Sequence, residues 1–290
     1  MKKAILILLM VALVAPAVFA RDVDAIVNVQ WLEANLAKVV VVDMRKVDDY
    51  KAGHIPGAVN LLGLYVPLNN LSNEVPAAED LSELIAEAGI DAKTTVVVVE
   101  ADGAARFAWA TRAAWTLVYA GVPNVAVLDG GYAEWTKAGK ATATGFESKD
   151  ETKFEVKFVD KYIIAKDDLV KNLKKIQVVD ARAYDTYFGV TKQGFVDQFG
   201  HIPGATALPA AWITVNGLVR PKAELEDLVK ALKLDPKKAM AIHCDSGVLC
   251  TAWWWMLTQQ MGWTNVASYD GSAQEISKDP SVKFVKGVWK

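Results

Sequence analysis

Ala239 to Trp255 reads AMAIHCDSGVLCTAWWW. Ala239 to Ile242 is a short apolar run of the kind that forms a buried strand. It leads into His243-Cys244 and a tight Asp245-Ser246-Gly247 turn, and from about Val248 the residues are apolar and helix-compatible through Trp255 to Gln260. A cysteine at the end of a buried strand, before a glycine-containing loop that opens a helix, sits where loop N–H groups and the helix N-terminus favour negative charge on sulfur. The competing reading is a structural cysteine, because free Cys is among the most buried residue types.

The rest of the chain repeats this strand-loop-helix arrangement. Val39 to Val42 and Thr95 to Val99 are β-branched runs that read as buried parallel strands, ending in Asp43-Met44-Arg45 and at Glu100. Helices are expected over Val29 to Leu36, Leu81 to Ala88, Phe107 to Tyr119 and from Tyr132 to Lys137, with a further strand at Val125 to Leu128. In the second half, Ile176 to Val179 ends in Asp180-Ala181-Arg182, Gly200 to Ala205 repeats Gly53 to Ala58 letter for letter, and Asn265 to Gly271 (NVASYDG) matches Asn124 to Gly130 (NVAVLDG). Asp167 to Leu173 and Leu225 to Leu232 supply matching helices. Strands rich in Val and Ile that alternate with helices predict parallel sheets covered on both faces. The sequence therefore predicts two similar α/β domains, residues 21–145 and 161–290, each a parallel sheet flanked by helices. A polar stretch, 146–160, links them. Ligands of such sheets bind beyond the carboxyl ends of the strands, where Cys244 falls.

The ends and the composition narrow the function. Residues 1–20 have a Lys2-Lys3 n-region, an apolar Ala4 to Val14 core and small residues at Val18 and Ala20. This pattern is expected of a cleaved secretory signal peptide, which predicts a periplasmic or secreted protein with no membrane span after processing. A net charge of −2 gives no electrostatic ground for nucleic-acid binding. Two cysteines so close in sequence, Cys244 and Cys250, do not form a stabilising disulfide framework. Cys250 reads as a small buried residue in the first helical turn, with a redox partnership to Cys244 as the alternative.

The tandem signatures, Tyr50 to Ala58, Gly200 to Ala205, the Asp-x-Arg strand ends and the Cys244 to Gly247 loop, resemble those of the tandem-domain rhodaneses, the thiosulfate and 3-mercaptopyruvate sulfurtransferases. The resemblance implies a five-stranded parallel sheet in each domain, chemistry in the second domain, and a first domain that is catalytically silent, since Glu100 stands where the second has Cys244. It implies a ping-pong mechanism. A Cys244 thiolate takes sulfane sulfur from a small donor, becomes a persulfide held by the N–H groups of Asp245, Ser246, Gly247, Val248, Leu249 and Cys250, and yields it to a thiol or cyanide. No metal or organic cofactor is required. The alternative is a sulfur carrier or binding module with a degenerate substrate site.

Three departures from that family bear on substrate. Asp245 and Ser246 replace the basic residues that follow the cysteine in thiosulfate-using members, and Asp-Ser-Gly-Val is nearer to the mercaptopyruvate group. Thr186 stands where an arginine commonly follows the Asp-x-Arg strand end, and apolar Leu249 replaces a polar loop residue. Poor thiosulfate use is expected, with 3-mercaptopyruvate or polysulfide favoured, and Arg220 is the candidate to reach the cleft and bind a carboxylate. His54 and His201 read as turn scaffold, because the silent domain carries the same motif, and Arg182 reads as bracing because Arg45 is its twin. His243 is not assigned as a base, since neighbours on a strand face opposite ways. Trp253 to Trp255 reads as helix core and domain interface. A phosphatase is excluded because the arginine such a loop needs falls at Cys250.

Overall fold

The computed structural model describes residues 21–101 and 103–287. The expected signal peptide lies outside the described residues. In the first domain the order is β1 (Ile26–Val27), α1 (Val29–Asn35), β2 (Val39–Asp43), α2 (Val47–Ala52), β3 (Val59–Asn60), β4 (Val66–Leu68), β5 (Leu71–Glu74), α3 (Ala78–Glu87), β6 (Thr95–Val99), α4 (Ala104–Tyr119), β7 (Asn124–Leu128) and α5 (Gly131–Lys137). The second domain follows with α6 (Lys166–Asn172), β8 (Gln177–Asp180), α7 (Tyr184–Tyr187), β9 (Thr206–Ala207), β10 (Thr214–Val215), β11 (Leu218–Val219), α8 (Lys222–Ala231), β12 (Met240–His243), α9 (Leu249–Trp255), β13 (Val266–Ser268) and α10 (Ser272–Ile276).

The first sheet is parallel throughout, in the order β1-β7-β6-β2-β3. The second is parallel in the order β13-β12-β8-β9. It has four strands rather than the five implied by the resemblance. The fifth position is occupied by a single parallel bridge from Ile163 to Ser268, because a 3-10 turn over Asp160–Tyr162 and the onset of α6 leave little extended chain between them. Two antiparallel hairpins, β4-β5 and β10-β11, are an addition that the sequence reading did not contain.

The β-branched runs form the central strands because both faces of each sheet are covered. Val96 to Val99 are fully buried, as are Val179 and Ile242. Helix α4 carries apolar residues on every side, which fits a helix buried all round. It lies between its own sheet and α9 of the second domain, so one hydrophobic cluster runs continuously through both domains. The three tryptophans of α9 are fully buried there, each with its indole N–H satisfied: Trp253 donates to Pro209 O, Trp254 to Val266 O, and Trp255 across the interface to Ala25 O at 3.1 Å. Their expected role as core and interface is borne out. The helix expected to run on to Gln260 changes to a π-turn over Met256–Gln260. Residues 146–160 run as an extended strap along the first domain, with Lys157 N–H bonded to Ala120 O and Val159 N–H to Tyr119 O.

The paired motifs are scaffold in both domains. The Arg45 guanidinium binds Asp43 at 2.6 Å and Gly53 O at 2.7 Å; that of Arg182 binds Asp180 at 2.6 Å and Gly200 O at 2.8 Å. Each pair therefore clamps the Gly-His-Ile-Pro-Gly turn to the end of its central strand. His54 stacks on Tyr50 at 4.0 Å and His201 on Tyr187 at 3.6 Å, and both tyrosine hydroxyls donate to the alanine carbonyl closing the turn at 2.6 Å. Among the described residues no helix is long and apolar enough to cross a membrane.

Candidate active site

Cys244 follows the last residue of β12 and is 1% exposed. The register of β12 against β8 fixes its height: His243 lies opposite Asp180, and Ala181 N–H binds His243 O at 2.9 Å. Gly247 shapes the loop. Its φ is +79°, and a β-carbon there would lie 2.5 Å from a carboxylate oxygen of Asp270. Glycine is thus required both by the left-handed backbone and by the close approach.

Burial acts to raise the pKa of Cys244, and the neighbouring Asp245 carboxylate adds to this. Hydrogen bonds from the Cys250 thiol, from Cys250 N–H and from Ser246 N–H prevail, drawing it down to about 7. The thiol of Cys250, 3.7 Å away, is pushed the other way by its own burial and by the charge it faces. Cys250 is fully buried, with its sulfur also 3.4 Å from Ser268 Oγ. Of the loop N–H groups expected to surround the sulfur, Ser246 and Cys250 supply bonds, whereas Gly247 N–H is taken by Ser272 Oγ at 3.2 Å.

Ser272 was not singled out in the sequence. Its hydroxyl also accepts from Cys244 N–H at 3.1 Å and donates to Tyr269 O at 2.8 Å, so it ties both ends of the turn to the β13–α10 loop. Its φ is +48°, a left-handed conformation costing about 1–2 kcal/mol in a non-glycine residue. The signal was present in the repeat: NVASYDG is followed by Ser272 where NVAVLDG is followed by Gly131.

The first domain contributes directly to this loop. Arg112 of α4 is fully buried and reaches across the interface. It donates to Gly247 O at 3.0 Å, forms an ion pair with Asp270, and binds Asn73 O. Asn73, in β5, donates to Ser246 Oγ at 3.1 Å, and Ser72 N–H binds Gln274 Oε1 at 2.9 Å. Beside them, burial first and then Asp270 push the Glu74 carboxyl up to about 8, against the pull of Arg112. None of these residues was predicted, although a lone arginine in the otherwise apolar helix Phe107 to Tyr119 is a signal for a buried partner.

The remaining expected residues divide. Arg182 lies beside the loop, its Nη1 3.7 Å from Asp245, and Asp245 is pushed up to about 6 by burial against the attraction of Arg182. Val248 is buried at the loop's end, and half-buried Leu249 opens α9 and packs on the shared core. Thr186 is buried at 9% exposure, but its hydrogen bonds are to Thr191 and Asp185 in its own turn. Arg220 does not reach the cleft. Its guanidinium binds Trp212 O at 3.0 Å and Glu224 at 3.3 Å, because β11 directs it toward α8. Burial holds the pKa of His243 down, and its Nε2 lies 3.7 Å from Asp180. Among the described residues no cluster of metal-ligating side chains is found.

Glu100 occupies the matching position in the first domain. It follows β6 as Cys244 follows β12, its carbonyl accepts from Tyr132 N–H at 2.8 Å, and the Cys244 carbonyl accepts from Ala273 N–H at 3.0 Å. Glu100 is buried at 4% exposure, and the first domain offers no thiol there.

The Rhodanese-like domain model matches residues 28–138 and again residues 165–279. The sulfur carrier protein TtuD of Thermus thermophilus is 27% identical over 281 residues, covering 91% of this chain and 97% of that protein. The putative thiosulfate sulfurtransferase SseA of Mycobacterium leprae is 29% identical over 279 residues, covering 91% and 92%. Among solved structures, the anaerobic ergothioneine biosynthesis enzyme of Chlorobium limicola superposes with a TM-score of 0.80 at 26% identity, over 91% of this chain and 70% of that one. The 3-mercaptopyruvate sulfurtransferase SseA of Escherichia coli, at 24% identity and a TM-score of 0.76 over 86% of this chain and 99% of that one, shares the fold. With two domain matches, a parallel sheet in each and relatives that move sulfur, the chain belongs to the rhodanese-like domain family in its tandem, sulfurtransferase-related form.

Proposed function

We propose that the protein moves sulfane sulfur from a small donor to a thiophilic acceptor as a Cys244 persulfide. The observation that carries this reading is the cradle around one sulfur atom: a thiol at a strand end whose pKa is drawn down to about 7 by two loop N–H groups and a neighbouring thiol. The same donors serve a persulfide, whose outer sulfur is anionic. The silent twin at Glu100 supports assignment of the chemistry to the second domain.

The donor follows from charge. Asp245 places a carboxylate beside the sulfur, and its facing cation, Arg182, is already committed to Asp180. The dianion thiosulfate is disfavoured there relative to monoanionic 3-mercaptopyruvate, and polysulfide is favoured over it for its weak sulfur–sulfur bonds rather than for its charge. The acceptor is a thiol, or cyanide in an assay. Cys244 is closed from bulk water, so loading requires the loop or the β4-β5 hairpin to open. That closure favours, as a second reading, a sulfur carrier that loads and unloads against a partner rather than turning over freely. Residues 1–20 support export to the periplasm or beyond.

The test is intact mass after incubation with 3-mercaptopyruvate, polysulfide or thiosulfate. One added sulfur is expected with the first two and is lost completely in Cys244→Ser. Absence of loading by all three donors overturns the reading. Steady thiocyanate production with cyanide separates the enzyme from the carrier.

A further inference from the structure

Both thiols of the described chain meet inside the site. Cys244 and Cys250 are 1% and 0% exposed, and their sulfurs are 3.7 Å apart. Closing them into a disulfide requires an approach of about 1.7 Å, to the usual S–S length near 2.05 Å. The approach is a property of the loop frame. In the first domain, Arg106 stands six positions after Glu100, as Cys250 stands six after Cys244, and its guanidinium lies 3.6 Å from the Glu100 carboxylate. The frame brings the side chains at these two positions face to face in both domains, and only the second has put thiols there.

We propose that Cys250 is a resolving thiol that releases the sulfur carried on Cys244 as sulfide, a further activity resting on the Cys244 persulfide reading. The Cys250 sulfur attacks the inner sulfur of the persulfide. A new Cys244–Cys250 bond forms, the bond between the inner and outer sulfurs breaks, and the outer sulfur leaves. The Cys250 proton passes to that anionic outer sulfur, so a persulfide anion and a thiol become a disulfide and HS⁻ with charge and atoms conserved. The sulfane sulfur is reduced to sulfide, and the two cysteines supply both electrons. No outside oxidant is needed. A dithiol reductant, itself oxidised to its disulfide, returns the pair to two thiols for another round.

The surroundings fit this role. Cys250 faces Ser268 Oγ on one side and Cys244 on the other, so the thiol is aimed at the sulfur that receives the donor's sulfur. Helix α9 begins at Leu249 and holds Cys250 in its first turn, on a helix anchored by three buried tryptophans. The attacking thiol is thus held in place against the Cys244 sulfur.

The experiment is to load the full chain with polysulfide under anaerobic conditions, remove excess donor, and follow mass and free sulfide together. The expected wild-type result is decay of the persulfide, release of one sulfide per sulfur loaded, and appearance of a chain two hydrogens lighter than the reduced protein. In Cys250→Ser and Cys250→Ala, the ratio of sulfide released to sulfur loaded falls by about tenfold or more, however fast each variant loads. Wild-type protein that loads but keeps its sulfur, or Cys250 variants that release sulfide in the same ratio as wild type, overturn the resolving role and leave the persulfide reading standing. A wild-type chain that takes up no sulfur overturns both.

Discussion

The two domains present the same loop in opposite states. Behind Cys244, Asp270 is met by Arg112 from the partner domain; behind Glu100, the twin Asp129 is met by a backbone N–H, that of Val219 at 2.8 Å. Each domain thus sends a hairpin to the other's loop, β5 toward Cys244 and β11 toward Glu100. The reciprocity breaks at the facing helices. Arg112 stands twelve positions after Glu100, and the residue twelve after Cys244 is Met256. The first domain therefore supplies a buried cation to the Cys244 loop, and at the matching position of the second domain stands Met256. The first domain is thus part of the Cys244 site, through Arg112 and Asn73.

Substitutions that give a residue around Cys244 its counterpart from the other domain break this asymmetry one contact at a time. The largest effect is expected from Arg112→Met. It leaves Asp270 buried without its cation and removes the ties to Gly247 O and Asn73 O, so the chain should lose about 3–5 kcal/mol in denaturant unfolding. A loss below 1 kcal/mol would mean that the asymmetry carries little energy.

Asp245→Ala, which installs the Ala101 counterpart, comes next. The carboxylate raises the thiol pKa, so its removal lowers that pKa below the present value of about 7. Loading by a persulfide donor depends on thiolate and rises with pH until the thiol is ionised. The variant's profile should therefore move toward acid, with each half unit worth about a threefold gain below the pKa. A profile that stays in place would show that Arg182 already cancels the carboxylate. The smallest effect is expected from Ser272→Gly, the Gly131 counterpart. Two accepted hydrogen bonds and the one donated to Tyr269 O, worth about 1 kcal/mol each, are lost while left-handed strain of about 1–2 kcal/mol is relieved, so stability should fall by only about 1 kcal/mol. A larger loss in a melting experiment would make the serine a main brace of the loop.

Much of this asymmetry was legible in the residues. The duplicated Gly-His-Ile-Pro-Gly-Ala turns and Asp-x-Arg strand ends pointed to two α/β units, and Glu100 was seen to stand where the second has Cys244. The Trp253 to Trp255 run was read as interface because it has no polar face. Arg220 was misplaced because a position counted along the chain does not say where a long side chain ends, and the Trp212 carbonyl and the Glu224 carboxylate captured it.

The sequence by itself determined the parallel sheets, the tandem order and the thiol at Cys244, since these rest on β-branched runs, helical spacing and turn residues that act over a few positions. Only the tertiary structure decided that Arg112 and Asn73 belong to the Cys244 loop, that Ser272 holds both ends of its turn, and that Cys250 faces the nucleophile at 3.7 Å. The physical reason is packing. Once α4 and α9 bury their apolar surfaces against each other, groups distant in sequence are forced into one water-poor volume, where Arg112 meets Asp270 and Gly247 O.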